Sequence, residues 1–176
     1  MSGLRCPFAV LWLVMASVQA QAASQVQLDL GMDVAGPGQH VLIPVTFSND
    51  AGSTVTRVVL EATFSEEKLL YDETLPGAAV EAIELEIEAS LMDLPDEEGQ
   101  KKLRVEIVST LGLPPGELLR ISFRISENAA LNEYIIVKNL SRSVETSKGE
   151  DPQVAGSDGT VAVIANAFFA CFFYMH

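Results

Sequence analysis

His40 and His176 are the two histidines of the chain, and so the side chains best placed to move protons near neutral pH. His40 lies where an alternating apolar stretch begins, and His176 ends the sequence. Neither stands in a recognisable motif with a Ser or Cys nucleophile, so the sequence offers no nucleophilic triad. Carboxylates are abundant, 24 in all. A glycosidase needs two of them facing each other across a cleft, and strand alternation provides no cleft. Asp96, Glu97 and Glu98 before Gly99 could offer oxygen ligands to calcium, as could Glu150, Asp151 and Asp158. Their spacing is not that of an EF-hand loop, and both groups read as solvated loop tips. The expectation is a non-enzyme with no metal and no other cofactor.

Other chemistry is equally thin. Cys6 and Cys171 are the only cysteines and sit near opposite ends, so the region between them has no disulfide or thiolate metal site. The single tryptophan, Trp12, lies in the leader. Tyr71 and Tyr134 remain as a weak platform for sugar. Asn139-Leu140-Ser141 is a glycosylation sequon, of consequence only in a eukaryotic secretory pathway.

One charged surface remains. Ile83, Leu85 and Ile87 alternate with Glu84, Glu86 and Glu88. If the apolar set points inward, the three glutamates point outward in a row. The segment from Thr54 to Phe64 puts Val58, Leu60, Ala62 and Phe64 on one face and Arg57, Val59, Glu61 and Thr63 on the other. The same logic sets Leu103, Val105 and Ile107 against Arg104, Glu106 and Val108. Val59 and Val108 are expected to face water as a small apolar centre, with charges as a rim. Such a row is either a solvated face that protects an edge strand, or a surface that selects a partner by charge.

The elements that carry these residues read as strands. Val41, Ile43, Val45 and Phe47 recur at every second position between Gly36-Pro37-Gly38 and Ser48-Asn49-Asp50. A strand with one apolar face needs a second sheet to cover it, so the stretch predicts a β-sandwich. Pro44 cannot donate to a ladder, which predicts a bulge or a local edge. Val26, Leu28 and Leu30 mark an earlier strand, and Leu69-Leu70-Tyr71 a short one, with a turn at Leu75-Pro76-Gly77. Ala78 to Leu94 fits a strand by alternation and a helix by composition; the alternation is favoured. Pro95 to Gly99 reads as a hairpin loop. Leu119, Ile121, Phe123 and Ile125, then Tyr134 to Leu140, then Gly159 to Ile164 are further strands, with a polar loop from Ser141 to Asp158. The pattern predicts an all-β chain with one domain over residues 23–164.

The two ends differ from the domain. Arg5 precedes an apolar run from Phe8 to Val18, followed by Val18-Gln19-Ala20 and Ala20-Gln21-Ala22. Residues 1–22 therefore read as a secretory signal peptide. Its removal leaves ten basic residues against 24 acidic ones, a charge of −14. Such a charge repels nucleic acid and anionic lipid and favours a partner with basic groups. Residues 165–176 form an apolar tail too short to span a bilayer. Three readings are open for it: a truncated membrane anchor, a peptide packed on the sandwich, or an incomplete reading frame.

The order of these segments resembles the cohesin domains of cellulosome scaffold proteins. Gly36-Pro37-Gly38 followed by Val41 to Asn49 is similar to their second strand, with its apolar-Pro-Val core. Leu60 to Phe64, then Leu69 and Gly77, resembles their third strand, short fourth strand and following glycine. Gly116 to Ile125 is similar to their glycine-led seventh strand, and Asp158 to Val163 to their last. The resemblance implies a nine-stranded, jelly-roll-like sandwich and a non-catalytic role. It implies docking of a dockerin, a small calcium-loaded helical module, on the face made by the family's eighth, third, sixth and fifth strands. On that reading Arg57, Val59, Glu61, Thr63, Glu84, Glu86, Glu88, Arg104, Glu106 and Val108 contact the partner, outside the cell or at its surface, or in the periplasm. The alternatives are a carbohydrate-binding sandwich or a structural subunit of a surface assembly.

Overall fold

The computed structural model describes residues 25–50, 52–141, 143–149 and 152–165. The signal-peptide reading and all of the apolar tail beyond Ala165 lie outside these residues. Twelve strands are present among them: β1 (Gln25–Leu30), β2 (Met32–Ala35), β3 (His40–Asn49), β4 (Val55–Ser65), β5 (Leu69–Pro76), β6 (Glu86–Asp93), β7 (Gln100–Val108), β8 (Gly116–Ile125), β9 (Tyr134–Asn139), β10 (Ser143–Thr146), β11 (Gln153–Ala155) and β12 (Gly159–Val163).

They form a sandwich. One sheet runs β11-β1-β3-β8-β5; the other runs β2-β12-β9-β4-β7-β6, with β10 paired to β4. The core is what alternation predicted. Val41, Ile43, Val45 and Phe47 are buried from β3, Val58, Leu60, Ala62 and Phe64 from β4, and Leu103, Val105 and Ile107 from β7. Phe64 and Phe123 meet edge to face at 4.8 Å between ring centroids, tying one sheet to the other.

Nine expected strands became twelve segments for local reasons. The first strand is broken at Gly31, where the chain crosses from one sheet to the other. A Cβ at Gly31 would lie 2.6 Å from Pro44 Cγ, so only glycine fits this crossing. The Gly31 N–H donates to the Pro44 carbonyl at 2.8 Å, and β1 has no partner for β3 beyond Val45. The bulge expected at Pro44 lies one step away. The ladder between β3 and β8 slips between Val45 and Thr46, and Leu118 is the extra residue on β8. The expected polar loop from Ser141 to Asp158 contains β10 and β11.

Two further expectations are corrected. The fourth strand is not short: β5 continues through Pro76 because β8 lies alongside to pair with it, with a bulge at Asp72. Residues 78–85 are turns and coil, and the strand starts only at Glu86. Ile83, Leu85 and Ile87 do pack on the core, but Leu91 near the end of edge strand β6 is exposed.

Candidate functional site

The outer face of the larger sheet collects the residues singled out by alternation. Register places Val59 beside Glu106, Glu61 beside Arg104 and Arg57 beside Val108 between β4 and β7. It places Glu86 beside Val108 and Glu88 beside Glu106 between β6 and β7. Glu84 is exposed in the segment leading into β6.

The charges on β4 and β7 are not free. Arg57 Nε donates to Glu106 Oε1 at 2.7 Å and its Nη1 lies 3.5 Å from Glu145 Oε2. Arg104 reaches Glu61 at 3.0 Å and Glu106 at 3.8 Å. Lys102 Nζ lies 2.7 Å from Glu61 Oε2. Three cations and three anions thus form one continuous zigzag, Glu145–Arg57–Glu106–Arg104–Glu61–Lys102, with no net charge. The hydrogen bond from Arg57 holds the Glu106 carboxyl below the usual carboxylate range and raises the Arg57 guanidinium in turn. Partial burial pushes Glu61 up, but the hydrogen bonds and charges of Lys102 and Arg104 outweigh it, and its carboxyl also ends below the ordinary value.

This lattice changes the expected apolar centre. Val59 lies on the outer face, yet it is only 3% exposed and belongs to no part of the inter-sheet core. Its neighbours Glu106 on β7 and Ser143 on β10 flank it, so the side chain does not face water as expected. Thr63 is also buried, whereas Val108 is half-buried. Sequence reasoning missed Lys102 and Glu145, because both enter through pairings that a single strand pattern does not reveal.

Glu84, Glu86 and Glu88 behave differently. All three are exposed, and among the described residues no ion pair reaches them. A solvent-open recess of about 340 Å³ lies between β6 and β7, lined by Glu88, Ala89, Ser90, Arg104 and Glu106. A second, of about 230 Å³, is lined by Glu84, Leu85, Glu86, Val108 and Thr110. The acidity of the face is therefore concentrated on the β6 rim. Among the described residues no group of His, Cys, Asp and Glu side chains is arranged to hold a metal ion.

The other half of the same face carries two largely apolar rows, bordered on β9 by the exposed Lys138. Ile136 on β9, Thr160 on β12 and Met32 on β2 form one cross-strand row; Tyr134, Ala162 and Val34 form the next. Met32, Tyr134 and Ile136 are exposed. The signal was present in the unbroken apolar run Tyr134-Ile135-Ile136-Val137, which marks a strand apolar on both faces.

The sequon is structural. Asn139 Nδ2 donates to the Leu28 carbonyl at 2.7 Å and the Ser157 carbonyl at 3.2 Å, while Oδ1 accepts from the Ser141 N–H at 3.0 Å. The nitrogen a glycan would use already clamps β9 to β1.

No family model and no curated protein matches the chain. Solved structures do. The chain is similar to the third cohesin ScaC of Acetivibrio cellulolyticus, solved in complex with the ScaB dockerin: 20% identity, 80% of this chain and 99% of that chain covered, TM-score 0.61. It is similar to the OlpA cohesin of a type I cohesin–dockerin complex from Clostridium thermocellum, at 13% identity, 80% and 99% coverage and a TM-score of 0.63. A non-cellulosomal cohesin from the hyperthermophilic archaeon Archaeoglobus fulgidus aligns at 17% identity, 82% and 93% coverage and a TM-score of 0.57. At these identities the likeness establishes the fold: the chain is a β-sandwich of the cohesin type.

Proposed function

We propose that this chain is a non-catalytic binding module that docks a dockerin-like protein partner on the outer face of its larger sheet. The cohesin fold makes a protein partner the first candidate, and solved chains of this fold carry dockerins. Fold alone does not assign a role, so the reading rests on the face itself. The observation that carries it is the row Glu84, Glu86 and Glu88, without an ion pair among the described residues and beside a charge lattice that is already neutralised. A partner with Lys or Arg on its docking surface would complete the electrostatics that the chain leaves open, which acts on association rate and selectivity. Arg57, Val59, Glu61, Thr63, Arg104, Glu106 and Val108 form the stiff floor beneath that contact. The leader sequence supports a setting outside the cytoplasm, in a polysaccharide-degrading or cell-surface assembly. A sugar platform is less favoured, because among the described residues Tyr134 is a lone exposed aromatic on the face rather than one of a row.

The test is titration of the chain against a panel of calcium-loaded dockerin modules, with the triple variant Glu84→Lys, Glu86→Lys, Glu88→Lys alongside. The expected result is saturable binding by at least one module, weakened about tenfold or more in the variant at unchanged thermal midpoint. Retention on insoluble polysaccharide with no dockerin binding would overturn the reading. So would release of reducing sugar that disappears on replacing one carboxylate.

A further inference from the structure

β6 leaves one edge of the larger sheet open. Among the described residues it pairs only with β7, and no loop backbone bonds to the main chain of Glu86–Asp93. Alternate N–H and C=O groups along it therefore point away from β7. Ala89 to Asp93 are five consecutive exposed residues. The other sheet ends are blunted. β2 and β11 are four and three residues long. β5 carries a bulge at Asp72 and ends on Pro76. β6 runs for eight residues with no proline and no lysine, and its register with β7 is unbroken. A long, flat, unbroken edge is a template for another strand.

The side chains say which strand fits. Glu86, Glu88, Ser90 and Met92 alternate along the outer side of β6, and Ile87, Ala89 and Leu91 along the inner side. Glu86 and Glu88 are exposed and without an ion pair among the described residues, whereas Asp93 is already held by Lys101. Ile87 packs on the core, but Leu91 is 45% exposed although it lies opposite the buried Leu103. The outer side thus lacks cations, and the inner side lacks apolar cover. A second copy of the chain would bring its own carboxylates and a formal net charge of −13, and supplies the wrong sign.

We infer that β6 accepts an extended segment of another protein as an added strand, with Lys or Arg opposite Glu86 and Glu88 and apolar residues opposite Ile87, Ala89 and Leu91. The backbone ladder holds the segment, and the alternate side chains select it. Opposite charges directly across a ladder support the pairing, and like charges oppose it. The added strand lies in the plane of the sheet and bonds through main-chain groups, so it is distinct from a module docked on the outer face and stands whether or not a dockerin binds.

The probe is the peptide acetyl-Thr-Val-Thr-Val-Lys-Val-Lys-amide, which in antiparallel register sets its lysines opposite Glu88 and Glu86. The control has Glu in place of both lysines. Amide hydrogen exchange is followed by NMR in the full chain and in the variant Glu86→Lys, Glu88→Lys. The expected result is that every second amide of β6, those pointing away from β7, slows about tenfold or more with the lysine peptide and not with the glutamate peptide. The charge-swapped variant should reverse that preference. No slowing at about 1 mM peptide would overturn the inference, as would equal slowing by both peptides. Peptide binding that leaves the β6 amides unprotected would place it on the face instead. Protection already present in the free monomer would show the edge filled from within the chain, and protection confined to a dimer by light scattering would give it to a second copy. Each of these three results also overturns the inference, and none bears on the dockerin titration.

Discussion

Glu88 on β6 stands directly across from Glu106 on β7, and Glu106 is already held by Arg57 and Arg104. Like charges opposite one another in a sheet oppose pairing. Glu88 therefore contributes charge to the surface without contributing to the fold. Replacement Glu88→Gln is expected to leave the denaturation midpoint unchanged or to raise it, while slowing association with a basic partner. Denaturant titration and binding kinetics at two salt concentrations check both parts. A lowered midpoint would show that Glu88 has an ion partner in solution.

Val59 and Val108 separate what outward-facing means on this sheet. Val59 is enclosed by the lattice, and Val108 is half-buried at its margin. Val59→Ala should cost about 1–2 kcal/mol through lost burial. Val59→Asp should cost at least about 3 kcal/mol, because it encloses an unpaired carboxylate next to Glu106. Val108→Asp, beside Arg57, should leave the fold intact. Thermal and urea unfolding of the three variants measures the order, and equal tolerance of Val59→Asp and Val108→Asp would contradict it.

Acid should weaken the fold through the same lattice. The Glu61 and Glu106 carboxyls lie below their ordinary values when folded, and Glu133 does so through its hydrogen bond from Lys68 at 2.8 Å. A depressed folded value means that the stabilisation is fully present above the unfolded value of about 4.3. It is lost as pH falls through the folded value, when the unfolded chain binds the proton more readily. The midpoint should therefore be flat above roughly pH 5 and fall below about pH 4. Glu106→Gln should start lower and lose less on acidification. An acid limb of unchanged depth in that variant would place the sensitivity elsewhere.

The sandwich, most strands and the face of nearly every core residue were legible in the sequence, because the strand period is local. Val41, Ile43, Val45 and Phe47 declare a buried face without reference to any other segment, and Glu84, Glu86 and Glu88 declare an exposed one. A cysteine-free domain and the absence of a recognisable catalytic motif were equally plain. Alternation sorts side chains into two faces, but it does not say which strand lies alongside. Only tertiary pairing brought Arg57 to Glu106, 49 positions away, and so neutralised a face that reads as acidic along the chain. The same pairing enclosed Val59 beside β10, lengthened β5 along β8, and set Met32 in one row with Ile136. Hydrogen-bond ladders are made between segments distant in sequence, and their register is decided when the two apolar faces close on a common core.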